Sequence, residues 1–242
     1  MNAQEERLSP SVRKLWIRYY SEETPDQFED RVLGTIRPTD CVLEIGAGSG
    51  RGLQNRIDLR GKVTKYVGID PDRKVLGNPY LDQAYEGRAE ALPFADESFD
   101  LVFHRFVAEH FEFPAPCNRE IYRVLKPGGK LLFLTPSRHY YPMLAARLTP
   151  QWFHEFYVRR FASGRTAGEV FPTFYRLNDE KAIARELNGV GFHCKIEHFS
   201  TPPGYLRFST VSFLAGTLYE RTAERAFPAL RARILVTAEK SV

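Results

Sequence analysis

Short apolar runs alternate with longer polar or amphipathic stretches through the middle of this chain. Four runs are almost continuously apolar over about five residues, which is typical of strands buried on both faces of a parallel sheet. A weaker run lies at 81–86, and later runs at 193–198 and 232–238 bring the predicted strands to seven. The four strong runs are Cys41–Ile45, Tyr66–Ile69, Phe99–Phe103 and Lys130–Leu134.

Apolar residues at helical spacing predict helices between these strands. Asp26 is predicted to cap a helix that reaches Ile36 and is stopped by Pro38. The order of strands and helices predicts an α/β fold: a Rossmann-like, doubly wound, mostly parallel seven-stranded sheet whose last strand is antiparallel. Further helices are predicted at Gly50–Leu59, Pro116–Leu125, Asp179–Asn188 and Leu206–Thr222.

The segment after the fifth strand differs from the rest, because it is dense in aromatic residues and arginine. We interpret residues 138–176 as an inserted cap that lies over the ligand pocket expected at the carboxyl ends of the strands, with a satellite aromatic core as the compatible alternative. The prediction is a single domain of residues 1–242. It consists of an N-terminal helical segment (1–39), a cofactor-binding core (40–137), the cap-like insertion (138–176) and a C-terminal part of the sheet and helices (177–242).

The predicted helix at 206–222 places an apolar stripe on one side. The stripe contains Leu206, Val211, Leu214 and Leu218, and we predict that it packs against the sheet. The alternative is an exposed apolar surface for a lipid-linked substrate or for peripheral contact with a membrane. Five arginines favour that alternative: Arg207, Arg221, Arg225, Arg231 and Arg233.

Composition limits the class of protein. The 242 residues are 43% hydrophobic and 26% charged, and the formal net charge is +4, as in an ordinary globular protein. Cys41, Cys117 and Cys194 are far apart and form no CxxC pair, so we expect neither a disulfide framework nor a metal site. A polar start and the lack of an apolar run of about 20 residues favour a cytoplasmic protein without a transmembrane segment. We expect no nucleic-acid partner.

The segment from Val42 to Gly52 carries the most chemistry. A buried strand runs directly into a glycine-rich turn and a predicted helix, which is the arrangement that binds nucleotides. Glu44 lies two residues before the first glycine, where a carboxylate would repel a pyrophosphate but suits a cationic ligand. Arg51 stands where the dinucleotide fingerprint has its third glycine. Asp70 ends the next strand, 24 residues after Gly46, which suits an acid that holds ribose hydroxyls.

These residues resemble the class I S-adenosylmethionine-dependent methyltransferases, in the subgroup similar to ubiquinone- and menaquinone-biosynthesis methyltransferases. The likeness covers about residues 40–136 and includes the segments 42–50, 68–71, 87–94, 98–103, 109–110 and 123–130. The resemblance implies S-adenosyl-L-methionine as the cofactor. It also implies binding residues: Glu44, Gly46, Ala47, Gly48, Gly50, Asp70, Pro71, Arg88, Ala89, Glu90 and His104.

Two parts of the resemblance have local interpretations. Arg88 departs from the family, whose members often carry an aspartate there for the adenine amino group, so Ala89 or Glu90 is predicted to make that contact. The stretch Lys126-Pro127-Gly128-Gly129 is predicted to end a helix with glycine past its last turn.

The acceptor side is less defined. His104 follows the fourth strand and His139 the fifth, so both are candidates for a catalytic base beside the acceptor. The alternative for each is a packing or surface histidine. We expect a small-molecule, lipid-linked or saccharide acceptor. Two other functions stay open: an NAD(P)-dependent oxidoreductase and a non-catalytic S-adenosylmethionine-binding module.

Overall fold

The computed structural model describes residues 8–20, 26–50, 57–148 and 171–241. Its chain divides into two compact units. Unit 1 comprises residues 1–25, 137–171 and 198–233, and unit 2 comprises residues 26–136, 172–197 and 234–242. The organisation as a single domain stays a prediction. Among the described residues, no helix has the length and apolar character needed to cross a bilayer.

Six α-helices and seven strands make up the regular structure of the described residues. The helices are α1 (Pro10–Tyr19), α2 (Gln27–Leu33), α3 (Pro114–Val124), α4 (Tyr141–Leu148), α5 (Glu180–Val190) and α6 (Thr210–Ala226). The strands are β1 (Cys41–Ile45), β2 (Lys65–Asp70), β3 (Gln83–Glu86), β4 (Phe99–Arg105), β5 (Leu125–Pro136), β6 (Phe192–Phe199) and β7 (Arg233–Lys240).

The strands form one sheet in the order β3-β2-β1-β4-β5-β7-β6. The pairs from β3 to β5 are parallel, and the last strands are antiparallel. Helices flank the sheet, so the predicted Rossmann-like class is confirmed. The order reverses between β1 and β4, and in open α/β sheets ligands bind at the carboxyl ends of strands beside such a reversal. That edge is therefore the candidate site.

The apolar runs in the sequence predicted the buried strands β1 and β4, and the structure confirms both. Val42, Leu43 and Val102 are fully buried, and the core that Leu43 and Val102 join continues into α3 and α5. Asp26 caps α2 as predicted, because its carboxylate accepts from the N–H groups of Phe28 and Glu29 at 3.1 and 3.2 Å. The helix is shorter than predicted and ends at Leu33.

Two local predictions are wrong. Residues 57–59 are not helical, although they were expected at the end of a helix from Gly50; residues 51–56 lie outside the described part. Lys126–Gly129 does not cap a helix, because α3 ends at Val124 and the stretch belongs to β5. It forms an irregularity in that strand: Phe99 pairs with Leu125, whereas Leu101 pairs with Lys130. Gly128 adopts φ +73° there, a value that suits glycine.

The prediction for the helix at 206–222 is also wrong about its packing. The helix begins at Thr210, and Val211, Leu214 and Leu218 expose 78%, 40% and 69% of their surface. Its buried positions are Phe213, Gly216, Thr217, Glu220 and Ala223. Two polar residues face inward because each has a hydrogen bond there: Thr217 Oγ1 donates to the Phe213 carbonyl at 2.9 Å, and the Glu220 carboxylate accepts from Tyr140 at 2.6 Å.

The predicted cap-like insertion lies mostly outside the described residues. Residues 149–170 lie outside the described part, and α4 (Tyr141–Leu148) accounts for the beginning of the segment. At its other end, the N–H groups of Phe174 and Tyr175 donate to the carbonyl of Glu109 at 2.7 and 3.1 Å. His110 Nδ1 lies 2.8 Å from the carbonyl oxygen of Pro172. In the described structure, Glu109 and His110 therefore anchor the chain at 172–175.

Candidate nucleotide site in unit 2

The glycine-rich turn follows β1 and bends around the end of β2. The N–H groups of Gly46 and Ala47 donate to the carbonyl of Ile69 at 2.8 and 3.3 Å. Gly46, Gly48 and Gly50 have φ values of +76°, +53° and +69°, a region that other residues rarely adopt. The backbone of the turn therefore requires glycine at all three positions.

Two of these glycines have different surroundings. A Cβ at Gly46 would lie 2.3 Å from Cγ2 of Val107, so the turn is packed tightly against the segment after β4. A Cβ at Gly48 would have no described atom within 4 Å. The space beside the Cα of Gly48 is thus free of described atoms, so a ligand could approach the turn there.

Asp70 ends β2 and is fixed beside the turn. Its carboxylate accepts from the N–H of Gly48 at 3.0 Å and from the N–H of Asp72 at 2.8 Å. Only 8% of the residue is exposed, and burial is the main cause that raises its pKa, while the two backbone donors oppose that shift. Each carboxylate oxygen retains a lone pair for a further donor, such as a ribose hydroxyl. Pro71 follows Asp70 and is exposed.

Glu44 lies on the neighbouring strand, between Gly68 of β2 and Phe103 of β4. It is 8% exposed, and its carboxylate accepts a hydrogen bond from the hydroxyl of Tyr66. Burial raises the pKa of Glu44 to about 7, against the opposing effects of the Tyr66 hydroxyl and the positive charge of Arg105. Burial therefore favours the neutral form of Glu44, and a cationic ligand would favour its charged form.

Two further side chains support this carboxylate, and the sequence did not identify them. Tyr66 is 1% exposed, and its hydroxyl also lies 3.2 Å from the carbonyl of Ile57. Arg105, at the end of β4, donates to Asp26 at 2.7 Å. A buried tyrosine needs a partner for its hydroxyl, so Tyr66 in an otherwise apolar strand was a usable signal.

Asn78 holds the glycine turn from the side of β2. Its amide Nδ2 donates to the carbonyls of Ala47 at 3.0 Å and Gly48 at 3.2 Å. Its Oδ1 accepts from the N–H of Tyr80 at 3.0 Å, and a Cβ at Gly50 would lie 2.4 Å from that oxygen. Asn78 thus fixes the turn through two carbonyl groups, a role that the sequence analysis missed.

The loop after β3 adjoins the end of β2. The N–H of Gly87 donates to the carbonyl of Asp70 at 3.0 Å, which brings the predicted adenine-side residues next to that acid. Ala89 is buried, whereas Arg88 is exposed and lies 3.3 Å from Glu90. The structure therefore brings together the predicted residues of β1, β2 and this loop, while their role in binding stays a prediction.

The two candidate histidines lie in different units. His104, in unit 2, is 1% exposed and stacks on Phe133 at 4.8 Å between ring centroids. Burial lowers the pKa of His104 to about 3. His139 belongs to unit 1, where it is exposed and its N–H donates to Oγ of Ser137 at 3.3 Å. A catalytic role for either histidine stays a prediction, and the burial of His104 favours packing.

Comparison with known proteins gives one matching family model. Residues 43–133 match a model described as a methyltransferase domain. The chain is 32% identical over 151 residues to the ubiquinone/menaquinone biosynthesis C-methyltransferase UbiE of Hydrogenovibrio crunogenus, covering 57% of this chain and 54% of that protein. It is 31% identical over 121 residues to the uncharacterized methyltransferase YcgJ of Bacillus subtilis, covering 44% and 46%. The chain thus spans about half the length of these relatives.

Solved structures support the fold. A Haloferax volcanii protein described as a methyltransferase, solved with the Trm112 activator, superposes with a TM-score of 0.58 at 17% identity, covering 96% of this chain and 94% of that one. The YcgJ protein of Bacillus subtilis superposes with a TM-score of 0.53 at 17% identity, covering 90% and 100%. At this identity the likeness concerns the fold alone.

Proposed function

We propose that this chain is a class I S-adenosylmethionine-dependent methyltransferase and that it transfers a methyl group from S-adenosylmethionine to a small-molecule acceptor. One observation carries the proposal. Two buried carboxylates, Glu44 and Asp70, end neighbouring strands on either side of a turn whose central glycine is open to a ligand.

The charges at this edge favour a nucleoside that carries a cationic side chain. The carboxylate of Asp70 has the geometry to accept from ribose hydroxyls, and Gly48 N–H already fixes one of its oxygens. Glu44 would repel the pyrophosphate of NAD(P), whereas the ammonium and sulfonium groups of S-adenosylmethionine favour its ionised form. The oxidoreductase alternative is therefore the weaker one.

The cofactor supplies an electrophilic methyl group on a positively charged sulfur. The contribution of this chain is to bind and orient, which is what a direct displacement requires. Asp70 and the loop at Gly87 would hold the nucleoside, and Glu44 would face the cationic end. The glycine turn is fixed by Asn78 and Ile69, and no described atom lies beside the Cα of Gly48, so the turn leaves room for the ligand.

The acceptor is the open part of the proposal. A quinone precursor is suggested only by the printed name of the UbiE relatives, which the chain matches over about half their length. A lipid-linked or saccharide acceptor fits the fold equally well. Burial lowers the pKa of His104 to about 3, which makes this residue a poor candidate for a general base.

Isothermal titration tests the cofactor part. We expect S-adenosylmethionine and S-adenosylhomocysteine to bind the wild-type protein, and Asp70→Asn to weaken both by at least about tenfold, since one charge-assisted hydrogen bond contributes roughly 1.5–3 kcal/mol. Asp96→Asn is the matched control, because the Asp96 side chain is 74% exposed and pairs with Arg123 away from the turn. NADH binding without any response to either sulfur compound would refute the proposal.

Turnover tests the catalytic part. Release of S-adenosylhomocysteine in the presence of phenolic, amine, quinol and saccharide acceptors would identify the acceptor class. Tight cofactor binding without release for any of them would favour the non-catalytic binding module instead.

A further inference from the structure

The outward face of α6 joins apolar side chains to arginines, and we propose that it docks on the surface of an anionic lipid membrane. Val211, Leu214 and Leu218 are exposed by 78%, 40% and 69%. Arg221 and Arg225 follow them on the same helix and are exposed as well. We call these five residues the docking face.

Helical spacing places the five residues on one side. Successive members are three, four, three and four positions apart, which keeps them on a single face of an α-helix. The buried positions Phe213, Gly216 and Glu220 lie on the opposite side. The exposed acid Glu224 lies three positions after Arg221, at the edge of the docking face, where it offsets part of the positive charge.

Neighbouring groups extend the positive charge of this face. The guanidinium carbon of Arg221 lies 5.1 Å from the centre of the Tyr19 ring in α1, and that of Arg18 lies 5.9 Å from the same ring. Lys14 and Ile17 of α1 are exposed too. A basic group surrounded by apolar side chains is what an interfacial helix presents to a bilayer.

The charge of unit 1 has the sign that an anionic membrane requires. Its residues include 14 Lys and Arg but only 8 Asp and Glu, a formal charge of +6, although the whole chain carries +4. Anionic lipids attract such a surface, and guanidinium groups bind phosphate oxygens through two parallel hydrogen bonds. Aliphatic side chains beside them would enter the region between headgroups and acyl chains.

A second copy of the chain fits this face less well. A symmetric dimer brings the same patch of each copy together. Arg221 and Arg225 of one copy would then approach the same basic region of the other, and the repulsion would oppose the gain from burying leucine and valine. This inference depends only on the surface of unit 1, and it holds whether or not the proposed methyl transfer is correct.

Vesicle sedimentation tests the proposal on the full chain. We expect binding to vesicles of equimolar phosphatidylcholine and phosphatidylglycerol, weakened by salt, and little binding to phosphatidylcholine alone. Arg221→Gln with Arg225→Gln should lower the partition coefficient by about 30-fold, because each basic residue near an anionic surface contributes about fivefold. Val211→Ser with Leu218→Ser should also lower it, by removing the apolar contact.

Matched controls lie in unit 2. Leu76 is 50% exposed and the Arg185 side chain is 75% exposed, so Leu76→Ser and Arg185→Gln change an exposed leucine and an exposed arginine that lie outside the docking face. Both should bind anionic vesicles as the wild type does. Thermal unfolding checks that every variant is folded. If a double variant unfolds at a lower temperature than the wild type, the test of the proposal is whether the wild type binds anionic vesicles more tightly than neutral ones.

Three results would overturn the proposal. One is equal binding of the docking-face variants and the wild type. Another is the absence of any difference between anionic and neutral vesicles. The third is a dimer in sedimentation velocity that Leu218→Ser disperses, together with no vesicle binding, since that would assign the face to self-association.

Discussion

Removing the side-chain amide of Asn78 should weaken cofactor binding without unfolding the protein. Nδ2 of Asn78 donates to the carbonyls of Ala47 and Gly48 at 3.0 and 3.2 Å, and these carbonyls belong to the glycine turn of the proposed cofactor site. A hydrogen bond of this kind contributes about 0.5–1.5 kcal/mol net, so the loss of both bonds in Asn78→Ala should destabilise the ordered turn by about 1–3 kcal/mol. If the turn must be ordered to bind, affinity for S-adenosylhomocysteine falls by about 5- to 150-fold.

A second substitution separates hydrogen bonding from space filling. Asn78→Asp keeps the shape and the acceptor for the N–H of Tyr80, but it places a carboxylate oxygen against the carbonyls of Ala47 and Gly48. We therefore expect Asn78→Asp to bind more weakly than Asn78→Ala. Asn188→Ala is the matched control, since Asn188 is exposed on α5.

Isothermal titration with S-adenosylhomocysteine measures the affinities, and chemical denaturation of the ligand-free proteins measures stability. Binding of Asn78→Ala within twofold of the wild type would show that the turn does not depend on this amide. Binding of Asn78→Asp as tight as that of the wild type would refute the donor role directly.

Three further predictions follow from burial and backbone geometry. Since burial raises the pKa of Glu44 to about 7, the ratio of wild-type to Glu44→Gln affinity for S-adenosylmethionine should rise from about pH 6 to about pH 8 by titration calorimetry; a constant ratio would exclude Glu44 from binding. Gly46→Ala should lower the free energy of unfolding in urea by more than Gly61→Ala, because the first meets Val107 at 2.3 Å whereas the second, also at positive φ, has no described atom within 4 Å. Burial holds the pKa of His104 near 3, so the contribution of this histidine to stability is complete above its unfolded pKa of about 6.5 and declines as the pH falls toward 3. The free energy of unfolding of His104→Phe should therefore decrease less steeply than that of the wild type between these pH values. Equal slopes for the two proteins would contradict this.

The position of the candidate nucleotide site could be predicted because its residues lie at strand ends. Once β1 and β2 are parallel neighbours, Glu44 and Asp70 must emerge at the same edge, and short apolar runs are enough to predict that pairing. Asn78 could not be predicted in this way. Between Gly77 and Pro79 it has the composition of an ordinary turn, and its contact joins it to Ala47, 31 residues earlier.

The error on α6 has a different origin. An amphipathic pattern identifies two faces, and the more apolar one is normally assigned to the interior. Here the inward face includes Thr217 and Glu220, which is tolerated because Tyr140 donates to the carboxylate of Glu220 at 2.6 Å. That tyrosine is 80 residues away in the sequence. A buried polar group supported by a distant partner therefore reversed the expected orientation.

The division of charge between the two units links the two proposals. The net charge of +4 conceals a formal charge of +6 on unit 1, which leaves −2 on unit 2. Unit 2 contains Glu44 and Asp70, and its negative charge suits a cofactor that carries a positive sulfur. Unit 1 contains the docking face, and its positive charge suits anionic lipid.

If both assignments are correct, raising the salt concentration should release the protein from vesicles long before it weakens S-adenosylhomocysteine binding, because the docking face is exposed to screening ions whereas both carboxylates are buried. Parallel loss of the two activities over the same range of salt would argue that one surface serves both.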